Sequence, residues 1–122
     1  MSREQACEQL KKFNFLDPLR VDSPDSLANI LQAGFPFALD LPTGRLVYVL
    51  DWRGNMMWIA AAAGDTTGCT LQALTAIERQ AQQNAAEAVG FMTARRGLVK
   101  LAESAGYEIT GWVLRKAVHE PD

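Results

Sequence analysis

The feature that most constrains this chain is the stretch from Met56 to Met92. Met56–Ala63 is a continuous apolar run of strand length, and Gly64–Cys69 is a small-residue turn. Thr70–Gln83 has a helical pattern, and Ala86–Met92 reads as a second strand. A strand, a helix and a strand in that order require a crossover. The two strands are therefore expected to run parallel, with the helix packed across them in the right-handed sense. The turn Gly64-Asp65-Thr66-Thr67-Gly68-Cys69 would leave backbone N–H groups exposed at the positive end of a helix, where a phosphate is favoured. The run Ala60–Ala63 carries little side-chain bulk, so a ligand could approach that backbone closely.

The chain before this stretch predicts two helices and two further strands. Ser2 followed by Gln5 resembles a capping box opening a helix to Phe13. Asn14–Asp22, with Pro18, reads as an irregular connection. Ser23 as N-cap, Pro24 at the first helical position, the stripe Leu27, Ile30 and Leu31, and Gly34 as stop predict a second helix. Phe35–Leu41 reads as an edge strand with Pro36 near its start. Arg45–Trp52 alternates with apolar residues on both faces, so both are expected to be covered. The short turns Pro42-Thr43-Gly44 and Arg53-Gly54-Asn55 make these strands and Met56–Ala63 an antiparallel meander.

After the turn, Leu71, Leu74, Ile77 and Ala81 are expected inward on the helix, with Gln72, Arg79, Gln80 and Gln83 outward. Thr93 is expected to cap a further helix over Ala94–Ala105, with Leu98, Leu101, Ala102 and Ala105 inward and Gly106 as its stop. Glu108–Val118 reads as a closing strand and residues 119–122 as a loose tail. The whole predicts one mixed α/β (α+β) domain over residues 1–122: a central sheet of five or six strands flanked by helices.

Composition narrows the function. The net charge of −2 argues against a general nucleic-acid surface, including a DNA-reading role for Arg95–Lys116. No apolar run is long enough to span a bilayer, and Met1–Lys12 is not a signal peptide. The two cysteines, Cys7 and Cys69, have no metal-ligand spacing and suit a reduced, cytoplasmic setting.

Several residues merit weighing. Arg95 and Arg96 fall in a helix's first turn, where each cation is disfavoured by about 0.3–1 kcal/mol. They point to an acidic partner, or else are solvated arginines whose stems cover apolar surface. Asp51, Asp65, Glu87 and Glu103 lie near element ends but form no recognisable acid–base pair, and surface charge is the plainer reading. His119 lies in the tail, away from a catalytic role. Cys69 begins a helix, where a thiol's pKa can fall, but packing explains it as well. Trp52, Trp58 and Trp112 are expected over the sheet; exposed, they would mark a partner surface.

The element order from Ser23 to Lys116, together with Leu101-Ala102-Glu103-Ser104-Ala105-Gly106-Tyr107 leading into Glu108-Ile109-Thr110-Gly111-Trp112, resembles the GCN5-related N-acetyltransferase (GNAT) family. The resemblance implies that acetyl-CoA lies between the third strand and the parallel strand. Its contacts would be Ala60, Ala62, Thr66, Thr67, Gly68, Cys69 and Thr70. The family's turn reads Gln/Arg-x-x-Gly-x-Gly/Ala, and here it becomes Asp65-Thr66-Thr67-Gly68-Cys69-Thr70. Gly68 matches. Asp65 puts a carboxylate where Gln or Arg is usual, and it would repel a pyrophosphate. Thr70 replaces a smaller residue. Ala102 stands where many members carry the tyrosine that serves as general acid. Thr93-Ala94-Arg95-Arg96-Gly97 also resembles acetyltransferase-like proteins encoded in phages. Two expectations follow: an acyl-CoA-dependent N-acyltransferase that relies on positioning and solvent-mediated proton removal, or a non-catalytic protein of this fold that acts in binding, assembly or regulation. The brief N-terminal part, the atypical turn and the missing tyrosine favour the second.

Overall fold

The computed structural model of the chain describes residues 2, 4, 5, 8, 34–93, 95–111, 114, 116 and 118. At the N-terminus, Ser2 and Gln5 form the expected reciprocal cap. The Gln5 N–H donates to the Ser2 hydroxyl at 3.1 Å, and the Ser2 N–H to the Gln5 side-chain oxygen at 3.2 Å. Glu4, Gln5 and Glu8 are helical. The expected connection over 14–22, the helix over 23–33, Trp112 and the tail over 119–122 lie outside the described residues.

Six elements follow: β1 (Phe35–Leu41), β2 (Gly44–Arg53), β3 (Met56–Ala63), α1 (Thr70–Gln83), β4 (Ala88–Phe91) and α2 (Arg96–Ser104). The strands form one mixed sheet in the order β1-β2-β3-β4. The meander β1–β2–β3 is antiparallel, and β4 joins β3 in parallel. The architecture is mixed α+β, with the crossover where the sequence put it.

β2 is the buried axis. Leu46, Val47, Tyr48, Val49 and Leu50 are all buried, so both faces of this strand are covered. One face carries Leu46, Tyr48 and Leu50. They pack with Met57 and with Ala73, Ile77 and Ala81 of α1 in one core. Phe37 stacks on Tyr48 at 5.7 Å between ring centroids. The Tyr48 hydroxyl, held up in pKa by burial, donates to the Gln80 side-chain oxygen at 2.6 Å. That bond satisfies the one polar atom this tyrosine takes into the core.

The inward stripe of α1 differs from expectation at one position. Ala73, Leu74, Ile77 and Ala81 are buried, whereas Leu71 is 40% exposed. A stripe at i, i+4 and i+8 from Ala73 leaves Leu71 on its rim. In α2, Ala102 is buried and Leu98 and Val99 are half-buried, but Leu101 and Ala105 are exposed. The inward set is thus Leu98, Val99 and Ala102.

Two element starts and one whole element are also corrected. β4 starts at Ala88 rather than Ala86 because the preceding residues close α1. The Ala86 N–H bonds the Ala81 carbonyl at 3.0 Å and the Ala85 N–H the Gln82 carbonyl at 3.1 Å. α2 starts at Arg96 rather than Ala94. The Thr93 hydroxyl accepts the Arg95 N–H at 3.1 Å, and Arg95 is extended as N-cap. The expected strand Glu108–Val118 is absent among the described residues, because no neighbouring strand pairs with them. The sheet therefore has four strands among the described residues, not five or six. The other end of α2 is as read: Gly106, at φ 96°, takes the left-handed position, and the Tyr107 N–H bonds the Ala102 carbonyl at 3.1 Å.

Ala85 occupies the same left-handed position after α1, at φ 60°, with a Cβ that opposes it. Ala85→Gly should raise stability by about 0.5–1 kcal/mol, the relief of left-handed strain less the added freedom of the unfolded chain. Thermal or urea denaturation reads this; a lower midpoint would refute the assignment of strain.

Candidate functional site

The site begins with the uneven pairing of β3. Its partnership with β4 covers Met56–Ile59 against Ala88–Phe91 and stops there. β3 continues for four alanines beyond that point, paired among the described residues to β2 alone. The two parallel strands therefore share half of β3, and the backbone of Ala60–Ala63 has no β4 residue beside it.

A bulge sits where the pairing changes. Val49 faces Ala61 while Leu50 faces Ile59, so Ala60 is an extra residue in β3. The insertion reverses the alternation of the strand. Met57 and Ile59 share the face of Leu50 and Trp52, which α1 covers. Past the bulge, Ala61 and Ala63 are buried on the opposite face, and Ala62, paired with Tyr48, returns to the face of α1. Ala62 is nevertheless exposed. The α1 face of the sheet is thus open beside the alanine extension. The sequence concealed this, because a run of identical alanines carries no alternation from which to read a phase.

The turn after β3 is tightly fixed. A Cβ on Gly64 would lie 2.7 Å from the Arg45 carbonyl oxygen, so only glycine lets the chain cross β2 there. The Thr43 hydroxyl donates to the Asp65 carbonyl. The Asp65 carboxylate turns back onto its own loop, accepting the Thr67 hydroxyl at 2.6 Å and the Thr67 N–H at 2.9 Å. These two bonds, the hydroxyl first, hold its carboxyl below the ordinary aspartate value. The Cys69 N–H bonds the Thr66 carbonyl at 2.7 Å, and the Thr66 and Thr70 hydroxyls lie 2.9 Å apart.

α1 then starts with Cys69 as N-cap and no side chain capping it. The N–H groups of Thr70, Leu71 and Gln72 are those an α-helix leaves without an internal acceptor. Gly68, exposed and at φ 75°, precedes them. Of the expected contacts, Ala62, Thr66, Gly68, Cys69 and Thr70 line this strand end and helix start. The N–H groups of Thr67 and Cys69 are already taken, by the Asp65 carboxylate and the Thr66 carbonyl respectively. The parallel strands also place Arg95 and Arg96, which follow β4, at the same edge of the sheet as the turn that follows β3; both are exposed.

The other candidates fall elsewhere. Asp51 accepts the Trp52 N–H at 2.8 Å, Glu87 accepts from the Asn55 amide, and Glu103 is exposed. Trp52 is 43% exposed, and Trp58 is half-buried with the Arg53 guanidinium 4.1 Å above its ring. His119 and Cys7 lie outside the described residues. Among the described residues no three His, Cys, Asp or Glu side chains converge as for a metal, and no helix is long and apolar enough to cross a membrane.

The sequence did not reveal what Tyr107 does. Its ring packs on Phe91, the last residue of β4, at 5.5 Å, and its hydroxyl donates to Glu78 of α1 at 3.0 Å. Burial and then the Glu78 carboxylate push its pKa well up, so it stays protonated and bound to Glu78. The tyrosine thus ties the exit of α2 to the crossover helix.

No protein-family model matches the chain, and no curated protein matches it significantly. Among solved structures it is similar to a mutant of TTHA1254 from Thermus thermophilus. The TM-score is 0.57 and the identity 17%, over 100% of this chain and 96% of that one. At that identity the likeness is one of fold.

Two outcomes test the turn. Gly64→Ala should destabilise the protein by more than about 1 kcal/mol in urea denaturation, since the backbone of β2 must move to admit the methyl group. Asp65 should titrate below ordinary aspartate by NMR, and Thr67→Ala should raise its midpoint. A depressed carboxyl adds stability above its unfolded pKa and loses it as pH falls through the folded value, so this contribution is full at neutral pH and gone in acid.

Proposed function

We propose that this chain is an acyl-CoA-binding domain of GNAT type, acting at the end of β3 and serving as an N-acyltransferase for an amine acceptor. One observation carries the reading: β3–β4 pairing ends at Ile59 and Phe91 while β3 runs on through four alanines to an uncapped helix start. Backbone groups freed along Ala60–Ala63 would bond the amides of an extended pantetheine arm. The N–H groups of Gly68 and of Thr70 to Gln72 would face a pyrophosphate at the positive end of α1. The exposed Ala62 leaves room beside them. Acetyl-CoA, when bound, supplies an activated acyl carbonyl; this chain's part is to hold that carbonyl and an incoming amine in line. A cytoplasmic setting, where acyl-CoA is made, suits the free thiol of Cys69.

A second reading is a protein of this fold that binds without transferring, as an assembly or regulatory component. Two observations favour it. The Asp65 carboxylate sits at the turn and takes the Thr67 N–H, and the hydroxyl of Tyr107 is held by Glu78. Arg95 and Arg96 would then receive an acidic partner surface. A phage origin belongs to the same proposal.

Isothermal titration with acetyl-CoA separates these readings. Binding is expected, and Ala62→Trp should abolish it without lowering the melting midpoint, because Ala62 is exposed. Asp65→Asn should tighten it severalfold by removing the repulsion between carboxylate and pyrophosphate. No heat at millimolar ligand, for the wild type and for Asp65→Asn alike, would refute acyl-CoA binding and leave the second reading.

A further inference from the structure

Helix α1 leaves apolar surface half covered where β3 and β4 part. Leu71, in its first turn, is 40% exposed. Two turns further along α1, on the same side of the helix, Glu78 accepts the Tyr107 hydroxyl. Tyr107 packs its ring on Phe91 at 5.5 Å. Phe91 is the register partner of Ile59, in the last pair before the strands part. Glu78 therefore marks the level of that pair. Leu71 lies about 10 Å back along the helix, the length of about three strand residues, and so stands level with Ala62. Ala62 is exposed on the same face of the sheet, and Ile59 and Phe91 are only half-buried. These four residues border one apolar channel, which opens at the start of α1 and ends on the Ile59–Phe91 pair. That end is held firmly. The Tyr107 ring backs Phe91, Glu78 holds the Tyr107 hydroxyl, and the Tyr107 N–H bonds the Ala102 carbonyl at 3.1 Å. Turning the Phe91 ring aside would displace a side chain anchored at both its ends.

We infer that this channel takes the acyl group of the thioester and that Phe91 sets a short limit on its length, with Tyr107 as the residue that positions Phe91. The inference rests on the acyl-CoA reading and adds the substrate class: short acyl groups such as acetyl or propionyl, not medium or long chains. An arm that enters at the start of α1 and follows Ala60–Ala63 brings its thioester end to Ile59 and Phe91. Strand pairing begins there, so the acyl chain meets these two side chains end on. A short acyl group covers the apolar surface that α1 leaves open, which favours binding. A longer one needs the Phe91 ring to move, and packed side chains without a free rotamer resist that.

The test is the ratio of affinities for acetyl-CoA and hexanoyl-CoA by isothermal titration, with free CoA as the reference. The wild type should bind acetyl-CoA about tenfold or more tightly than hexanoyl-CoA, since methylene groups a pocket does not seat cost on that order. Phe91→Ala should close the gap and leave the affinity for free CoA as it was. Phe91→Leu, which keeps an apolar side chain beneath the helix, should narrow it and carries the test where the alanine variant does not fold. Tyr107→Phe keeps the ring and loses the bond to Glu78. It should move the ratio the same way by about threefold, a change that lost stability alone does not produce. A wild type that binds hexanoyl-CoA as tightly as acetyl-CoA would overturn the length limit. A ratio unmoved in the folded variants would overturn its assignment to Phe91 and Tyr107. Both results leave the acyl-CoA reading standing. If free CoA and both acyl forms give no heat, that reading fails and the inference with it.

Discussion

The structure rests on β3 having, among the described residues, two neighbours for half its length and one for the rest. Over Met56–Ile59 it is held between β2 and β4, and over Ala60–Ala63 the described residues pair it with β2 alone. The first half makes the sheet continuous and anchors the crossover helix over Leu46, Tyr48 and Leu50. The second half frees one side of a backbone whose side chains are too small to cover it. The bulge and the alanine run lie within that second half, and the turn follows directly, so what makes the sheet irregular also makes the candidate site.

Two tyrosines fix the helices around this arrangement. Tyr48 rises from the most buried strand to Gln80, and Tyr107 reaches from beyond α2 to Glu78, on the same helix two residues away. Each hydroxyl needs a partner once buried, so each restricts how α1 can sit on the sheet. Tyr107 shows how position decides role. A protonated tyrosine near the end of β4 could have served a leaving group, but its proton is directed at Glu78.

Where sequence reasoning held, it rested on strong local signals. β1, β3 and α1 have the limits the sequence implied, because turn residues and helix signals bracket each of them. The parallel pairing followed from element order alone. The candidate site was legible as a place, the strand end and the turn before α1, but not in its detail. Nothing in Ala60–Ala63 betrays a bulge, and nothing in Asp65 and Thr67 announces that one would bind the other. Leu71 and Leu101 read as inward because leucines at helical spacing look alike whether they line a stripe or border it.

The sequence by itself determined the six elements from β1 to α2, their order, and the crossover that makes β3 and β4 parallel neighbours. These follow from periodicity, glycines and connection length, all local along the chain. Tertiary structure alone decided how far β4 accompanies β3, which face Ala62 takes, which partners the two tyrosines find, and that Glu108–Gly111 stay out of the sheet. Those outcomes depend on pairing between segments distant in sequence. A strand-forming pattern states a readiness to pair, and only the assembled fold supplies or withholds the edge it pairs with.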